Sequence, residues 1–219
     1  MTNISKEDYL RVIYKGIEET GVVNPTMVAV HLNISNAAVT DMIKKLKREK
    51  YVSYNPYKGI QLLQKGKMEA IRLVRRHRIW ETFLYQIVGI PWYEIDEEAE
   101  NLEHSSSDNL IDHLERILNY PEFDPHGHPI PKKDGKIPRQ KKCFPLDQIK
   151  IGNSGIIQKV NDHSKEFLFY LFNSGLLIRK KIKVIDKRNF DGSIIISVDN
   201  KELVLSDKIS KNIFVEKIK

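Results

Sequence analysis

The sequence has very little cysteine and no long hydrophobic run. Cys143 is the only cysteine among 219 residues, so an intrachain disulfide is excluded and a reducing cytoplasm is the simplest location. The apolar runs are far too short to span a bilayer, which predicts no membrane segment. The N-terminal stretch MTNISKEDYL also lacks the basic and then apolar pattern of a signal peptide. These absences favour a globular cytoplasmic protein.

Charge is abundant, but it is unevenly distributed along the chain. Residues 1–78 contain 15 Lys/Arg and 7 Asp/Glu, whereas residues 79–140 contain 5 and 13, and residues 141–219 contain 16 and 9. Basic blocks suit a polyanion such as nucleic acid, and an acidic block suits cations. The pattern therefore predicts two different partners, a polyanion and a cation. For either kind of block taken alone, the alternative is scattered charge that is simply solvated.

The first 50 residues carry the signals of three consecutive helices. Ser5 and Asp8 are spaced as a capping box at the start of the first helix. Asn24 and the proline after it begin a short second helix. After a tight turn, Ser35 caps a third helix over about residues 36–49, whose apolar residues repeat at helical spacing. Two helices joined by a tight turn are typical of a helix-turn-helix.

The third helix has a polar and basic outer face, and a hairpin signal follows it. The stretch YVSYNPYKGIQLL consists of two short alternating runs around a turn, as expected for the wing of a winged helix. Charge, turn and wing together favour DNA binding over a small helical domain without that function. The residues that we predict to face DNA are Ser35, Asn36, Ala37, Ala38, Thr40, Asp41, Lys44 and Lys45.

Three further helices are predicted, and the first of them crosses from the first basic block into the acidic block. The first covers about residues 64–88, the second about residues 92–104, and Ser106 or Ser107 caps the third. Their apolar faces could pair with a second copy of the chain, and a helix-turn-helix protein usually needs a dimer to bind a two-fold DNA site. We therefore predict a homodimer.

A change of pattern separates these helices from the C-terminal part. Residues 121–145 hold six of the nine prolines, which indicates a linker or irregular loop. The runs GIIQKV, KIKVID, SIIISV, ELVL and IFVEKI then alternate with period two, and they predict a small SH3-like β-barrel of about five strands. The predicted fold is mainly α with β. Its domains are a winged helix-turn-helix (1–72), a helical dimerisation domain (73–140) and the barrel (141–219).

The stretch EEAENLEH carries the clearest candidate for a metal site. Glu100, Glu103 and His104 stand at i, i+3 and i+4, so they share one face of a helix. Two carboxylates and an imidazole on one face can bind a divalent metal, whereas three solvated side chains on an acidic helix are the alternative.

Several stretches resemble a known family of regulators. EDYLRVIY, HLNISNAAVTDMIKKLKREKYV, YKGIQLLQKGK, LVRRHRIWETFL, EEAENLEH and DPHGHPIP are similar to the iron- and manganese-dependent repressors of the diphtheria toxin repressor and manganese transport regulator (DtxR/MntR) family. The last 75 or so residues resemble the FeoA-like barrel of its longer members. The resemblance implies a metal-dependent repressor that binds a double-stranded DNA operator and controls metal-uptake genes.

The resemblance also implies two sets of metal ligands. The primary set is Asp8, Glu100, Glu103 and His104, and the ancillary set is His77, Glu81, Asp96, His163 and Glu166. Iron-type members have sulfur ligands at two of the primary positions where this chain has carboxylates. Hard oxygen donors with one imidazole favour Mn²⁺, with Fe²⁺ as the alternative.

Three other features bear on the site and on the class of protein. Shorter manganese-type members have a glutamate where this chain has Arg11, which favours the arrangement of the barrel-bearing members. We interpret His126 and His128, in a loop rich in proline, as structural. The alternatives in function are a carboxylate/histidine metalloenzyme and a winged-helix regulator that senses a non-metal ligand. Nucleophile-elbow, phosphate-loop and HExxH patterns are absent from the sequence, so we predict that the chain is not an enzyme.

Overall fold

The structure is a computed structural model that describes residues 5–161 and 164–218. It divides into two compact units. The first contains the chain up to His77 together with Pro131–Lys136, and the second contains Arg78–Ile130 and the chain from Ile137 onward.

The first unit contains the three predicted N-terminal helices. They are α1 (Lys6–Thr20), α2 (Pro25–Leu32) and α3 (Asn36–Arg48). The capping box is confirmed, because the Asp8 amide donates to the Ser5 hydroxyl and the Ser5 amide donates to the Asp8 carboxylate. Each of the three helices thus begins at a capping residue that the sequence identifies.

The predicted wing is also confirmed. Strands β1 (Val52–Asn55) and β2 (Gly59–Leu62) form an antiparallel hairpin, and the Ile60 amide donates to the Val23 carbonyl at 2.7 Å. Gly59 has φ +73°, and a Cβ at this position would stand 2.4 Å from the same carbonyl oxygen. Only glycine therefore allows the wing to lie this close to the loop between α1 and α2.

One apolar core stabilises the first unit. It joins residues from all three helices, both wing strands and the first turns of the helix that follows. That helix is α4 (Gln64–Phe83), which continues past His77 into the second unit. The largest fully buried side chains of this core are Leu10, Ile13, Leu46 and Ile60.

The helices of the second unit differ in detail from the prediction. A π-helical turn, Leu84–Val88, follows α4, and the chain leaves the helical conformation at Gly89 (φ +83°). The next helix, α5 (Ile95–Glu103), starts three residues later than predicted, because Pro91 and the residues after it form a turn in which the Glu94 amide donates to the Pro91 carbonyl. Ser107 caps α6 (Asp108–Ile117), as predicted.

The C-terminal part of the second unit is a six-stranded antiparallel sheet rather than one of five strands. The strands are β3 (Phe144–Pro145), β4 (Ser154–Val160), β5 (Lys181–Lys187), β6 (Ile194–Val198), β7 (Lys201–Leu205) and β8 (Ile213–Ile218), in the order β3-β8-β4-β5-β6-β7. The additional strand, β3, has two residues, too few for an alternating pattern. Helices α7 (Lys165–Asn173) and α8 (Asp207–Lys211) lie between the strands in sequence. Trp92 is buried in the apolar core of this sheet.

Within the described residues, no helix combines the length and the apolar character needed to cross a membrane.

Candidate metal centre

The C-terminal end of α5 places two of the predicted primary ligands close together. Glu103 is fully buried, and the His104 Nε2 lies 3.4 Å from the Glu103 Oε1. Burial of a carboxylate is costly unless a cation or a hydrogen-bond donor compensates it. Glu100, one turn earlier, is exposed. A buried carboxylate beside an accessible imidazole distinguishes this end of α5 from an ordinary solvated acidic face.

Asp8, the fourth predicted primary ligand, lies in the first unit. It occupies the third position of α1, where one of its carboxylate oxygens accepts from the Ser5 amide at 2.6 Å. The residue is 9% exposed. Burial, together with the neighbouring Asp8 carboxylate, raises the pKa of Tyr9. Asp8 thus performs the capping role that its position predicts, and it is buried in that role.

Three of the predicted ancillary ligands lie on two helices. His77 and Glu81 are one turn apart on α4, and both are buried. Glu81 and Asp96, at the start of α5, each offer a ligand atom within 4.8 Å of the other. An imidazole and two carboxylates are hard or borderline donors, so this set suits Mn²⁺ or Fe²⁺ better than a thiophilic ion.

Arg11 contacts one of these predicted ligands within the first unit. Its Nη1 lies 3.3 Å from the His77 Nδ1. A guanidinium can only donate, so the His77 Nδ1 is the acceptor and the ring hydrogen of the neutral imidazole resides on Nε2. A metal ion bound at His77 would have to replace either the Arg11 contact at Nδ1 or the hydrogen at Nε2.

Of the two ancillary residues assigned to the barrel, the structure describes only Glu166, and it does not bring Glu166 to this set. His163 lies outside the described residues. Glu166 is exposed in the first turn of α7. Among residues 5–161 and 164–218, neither Glu166 nor Glu100 belongs to a group of three or more close metal-ligand atoms.

A buried cluster around the PHGHP loop was not predicted from the sequence. His126 is fully buried, with its Nδ1 3.2 Å from the Glu81 Oε1 and its Nε2 2.9 Å from the Trp92 carbonyl oxygen. The Arg78 Nε lies 3.5 Å from the Asp124 Oδ2, and both side chains are buried. The signal in the sequence was the aspartate and histidine two residues apart, but nothing there showed that they meet Glu81, 40 or more residues earlier.

The predicted DNA-binding residues all lie on the exposed face of α3 or at its N-cap. The Ser35 hydroxyl accepts from the Ala38 amide, and the Thr40 hydroxyl donates to the Asn36 carbonyl. The Lys44 Nζ pairs with Asp41 at 3.1 Å, and both side chains are more than 70% exposed. At the wing tip, Tyr57 is 96% exposed. The helix and the wing thus offer hydroxyl, amide and ammonium groups to a ligand in solvent.

Comparison with family models assigns each of the three segments. Residues 1–60 match the iron dependent repressor N-terminal DNA binding domain. Residues 63–132 match the iron dependent repressor metal binding and dimerisation domain. Residues 144–217 match the FeoA domain.

Relatives and solved structures agree with these matches. The HTH-type transcriptional regulator MntR of Bacillus subtilis is 39% identical over 124 residues, which cover 57% of this chain and 87% of MntR. A manganese-dependent transcriptional repressor in complex with manganese superposes with TM-score 0.92 at 30% identity, covering 98% of this chain and 100% of the other. The manganese regulator SloR superposes with TM-score 0.82 at 32% identity, covering 98% and 99%.

These relatives are named as transcriptional regulators rather than enzymes, which argues against the metalloenzyme alternative and agrees with the prediction that the chain is not an enzyme. The predicted winged helix-turn-helix, helical metal-binding segment and FeoA-like segment are all matched, in the predicted order. The chain belongs to the iron-dependent repressor (DtxR/MntR) family, as a long member with a C-terminal FeoA domain.

Proposed function

We propose that this chain is a DNA-binding transcriptional repressor activated by Mn²⁺, or alternatively by Fe²⁺, and that it controls metal-uptake genes. The observation that carries the proposal is the fully buried Glu103 carboxylate beside His104, in a chain whose first unit is a winged helix with an exposed basic helix α3. A regulator of this kind acts on chromosomal DNA, so we propose a cytoplasmic location.

The proposed primary site consists of Asp8, Glu100, Glu103 and His104. When bound, the metal ion would compensate the negative charge of the three carboxylates, and the neutral imidazole would supply a fourth donor atom. The proposed ancillary site consists of His77, Glu81 and Asp96. The family resemblance adds His163 and Glu166, although Glu166 is in none of the close groups of ligand atoms among the described residues. All nine residues are of ligand types that Mn²⁺ and Fe²⁺ accept.

The proposed coupling of metal to DNA follows from where the ligands lie in the sequence. Asp8 belongs to the proposed DNA-binding domain (1–72), whereas the other primary ligands belong to the proposed dimerisation domain (73–140), and the FeoA domain takes 141–219. A metal ion that binds ligands from both domains would restrict the movement of α1 relative to the dimerisation domain. Metal binding and DNA binding then draw on one conformational equilibrium, and each strengthens the other by the same factor.

A homodimer is proposed from the surface of α6. Leu110 and Ile117 stand at i and i+7 on one face of this helix, and they are 42% and 60% exposed. An exposed apolar pair on an amphipathic helix is typical of a protein interface. A dimer presents two copies of α3, as a two-fold operator requires.

Selection of duplex DNA from a random pool in the presence of MnCl₂ tests the proposal. We expect the selected sequence to be bound with Mn²⁺, released by a chelator and bound again when Mn²⁺ is restored in excess. Equal binding in chelator and in Mn²⁺ would contradict a metal-dependent repressor.

A further inference from the structure

The sheet of the FeoA domain presents a positively charged side to solvent. Strands β4, β5 and β8 contain five lysines and two acidic residues. Along β5, the exposed Lys181 and Lys183 alternate with the buried Ile182 and Val184. Since successive side chains of a strand project from opposite sides of a sheet, both lysines lie on the side away from the apolar core.

Strand pairing extends this positive surface to β4 and β8. Ile156 of β4 pairs with Lys181 on one side and with Glu216 of β8 on the other. Lys159 of β4 pairs with Phe214, which stands two residues before Glu216. Because directly paired residues project from the same side of a sheet, Lys159 and Glu216 lie on the same side as Lys181.

The two acidic residues of these strands do not neutralise this side of the sheet. The Glu216 Oε2 accepts from the Lys141 Nζ at 2.7 Å and from the Gln158 Nε2 at 2.8 Å, so its charge is already compensated. Asp186 lies beyond the irregularity in β5, where its Oδ1 accepts from the Lys187 amide. The side of the sheet between these two carboxylates therefore keeps a net positive charge.

A cleft at the edge of the sheet continues the positive surface. Residues 139–142, Phe144, Glu216 and Lys217 line this cleft. The Lys142 Nζ lies 5.4 Å and the Lys217 Nζ 4.0 Å from the centre of the Phe144 ring. Such contacts with a ring restrict the ammonium groups, so these lysines lose less conformational freedom when they bind a ligand.

The ligand that fits this surface is an extended polyanion. We define the basic face as Lys142, Lys159, Lys181, Lys183 and Lys217. Its ammonium groups are spread over neighbouring strands, which lie roughly 4.8 Å apart, instead of converging on one point as a site for a single phosphate requires. Duplex DNA carries about one negative charge per 1.7 Å of its axis, so such a surface meets several phosphates at once.

We propose that the basic face of the FeoA domain binds the phosphate backbone of the duplex to which α3 binds, without reading its sequence. The inference rests on the proposed function, because it takes the bound operator duplex as the polyanion. Residues 1–60 match a DNA binding domain, so a duplex held there is at high effective concentration for the rest of the chain. Individually weak contacts with phosphates then contribute measurably to affinity.

The test is the salt dependence of DNA affinity of the full chain in saturating Mn²⁺, on a duplex that carries the selected operator between longer arbitrary flanks. Lys181→Ala combined with Lys217→Ala removes two ammonium groups of the basic face from two strands. Lys201→Ala combined with Lys208→Ala is the matched control. Lys201 pairs with the buried Val198, and Lys208 is exposed on α8, so both are lysines of the FeoA domain outside the basic face.

We expect the slope of log affinity against log salt to decrease by roughly two units in the Lys181/Lys217 alanine variant, one for each lost phosphate contact, and to be unchanged in the control. Lys181→Arg combined with Lys217→Arg keeps both charges and should keep the slope of the parent. The decrease should be the same when the flanks have a different sequence, because contacts with phosphates carry no sequence information.

The slope of the parent in the alanine variant, or an equal decrease in the control, would overturn the inference. The first of these results is the one expected if the basic face binds an acidic protein instead of DNA. Chelator-sensitive binding of the parent, measured in parallel, separates this inference from the proposed function. If the parent binds the duplex only with Mn²⁺ and the slopes coincide, the inference alone is wrong; if the parent binds no duplex, both are wrong.

Discussion

At the scale of single residues, the most unusual feature of this protein is its buried ionisable side chains. Glu103, His77 and Glu81 are each 2% exposed or less. Burial of a charged group costs several kcal/mol unless a partner compensates it, so such groups are rare outside sites. The sequence predicted the ligand types at these positions from helical spacing and family resemblance, but the burial that distinguishes them depends on packing that spacing does not reveal.

Removal of either ligand at the end of α5 should therefore abolish activation by metal. We expect Glu103→Ala or His104→Ala to lose Mn²⁺-stimulated operator binding in a gel-shift assay and to remain a folded dimer. Glu97→Ala is a suitable control, because Glu97 is an exposed carboxylate on the same helix. Stimulation by Mn²⁺ in either variant at the level of the parent would refute the primary site.

The preference for a metal should reside in the two carboxylates that replace sulfur ligands of iron-type relatives. Asp8→Met combined with Glu100→Cys substitutes soft donors for hard ones, so the response should shift from Mn²⁺ towards Fe²⁺ or Cd²⁺. DNA affinity measured against the free concentration of each ion will show the shift. The parent's ranking of ions in the double variant would mean that donor type at these positions does not set selectivity.

Tyr51 provides a prediction that concerns pH. The Lys6 ammonium donates to its hydroxyl at 3.0 Å, and this bond and a second from Lys65 lower the pKa of Tyr51 below the ordinary 10.0. A lowered pKa means that ionisation stabilises the folded state above the folded pKa, and that this contribution is lost as the pH falls through it. The Lys6 ammonium remains charged in that range, because its own pKa is raised by the same bond.

We therefore expect the free energy of unfolding of the parent, relative to Tyr51→Phe, to increase as the pH rises through the lowered pKa of Tyr51 towards the ordinary 10.0. Urea unfolding at a series of pH values measures this difference. Tyr57→Phe, at the exposed wing tip, is the control for loss of one phenol. A difference that stays constant, or decreases with pH, would contradict the contact between Lys6 and Tyr51.

At the scale of elements, local signals predicted most helix starts. Ser5, Asn24, Ser35 and Ser107 all cap helices, because their side-chain oxygens accept from amides of the first turn. The π-helical turn after α4 and the late start of α5 were missed. The π-helical turn has no side-chain hydrogen bond at its N-cap, Phe83. Trp92 packs in the core of the sheet instead of extending α5.

Helix α3 should contact DNA through both base edges and phosphates. Lys44 pairs with the exposed Asp41 in the free protein, so binding to a phosphate exchanges one weak surface ion pair for a charged contact with the backbone. Lys44→Ala should therefore reduce the dependence of log affinity on log salt by roughly one unit. Ser35, Asn36, Ala37, Ala38 and Thr40 lie nearer the N-terminal end of the helix, which reaches base edges.

Titration of operator affinity against salt in the parent and in Lys44→Ala tests this prediction. Lys15→Ala is the control, because it removes a lysine outside the predicted DNA-binding residues. Thr40→Arg should instead damage binding at every salt concentration, since a long cationic side chain replaces a small hydroxyl at the base edges. An unchanged slope in Lys44→Ala would remove Lys44 from the phosphate contacts.

At the scale of the whole molecule, the order of segments was predictable and their internal packing was not. The basic, acidic and basic blocks of the sequence correspond to the three matched domains. Contacts between residues that are far apart in the sequence could not be predicted from the sequence. The clearest case is His126, which the proline-rich loop predicted to be structural and which in fact contacts the Glu81 carboxylate.

The proposed dimer is the property of the whole molecule on which DNA binding depends most. Ile117 is 60% exposed at the end of α6, so a charge there costs the isolated chain little but would be desolvated in an apolar interface. Ile117→Glu should yield a folded monomer by analytical ultracentrifugation. Two linked half-site contacts strengthen each other through effective concentration, so the monomer should bind the operator roughly hundredfold or more weakly, even in saturating Mn²⁺.

Glu115→Gln, on the same helix, serves as the control. A dimeric Ile117→Glu variant would place the interface elsewhere, whereas a monomeric variant with the parent's operator affinity would show that one copy of α3 is sufficient.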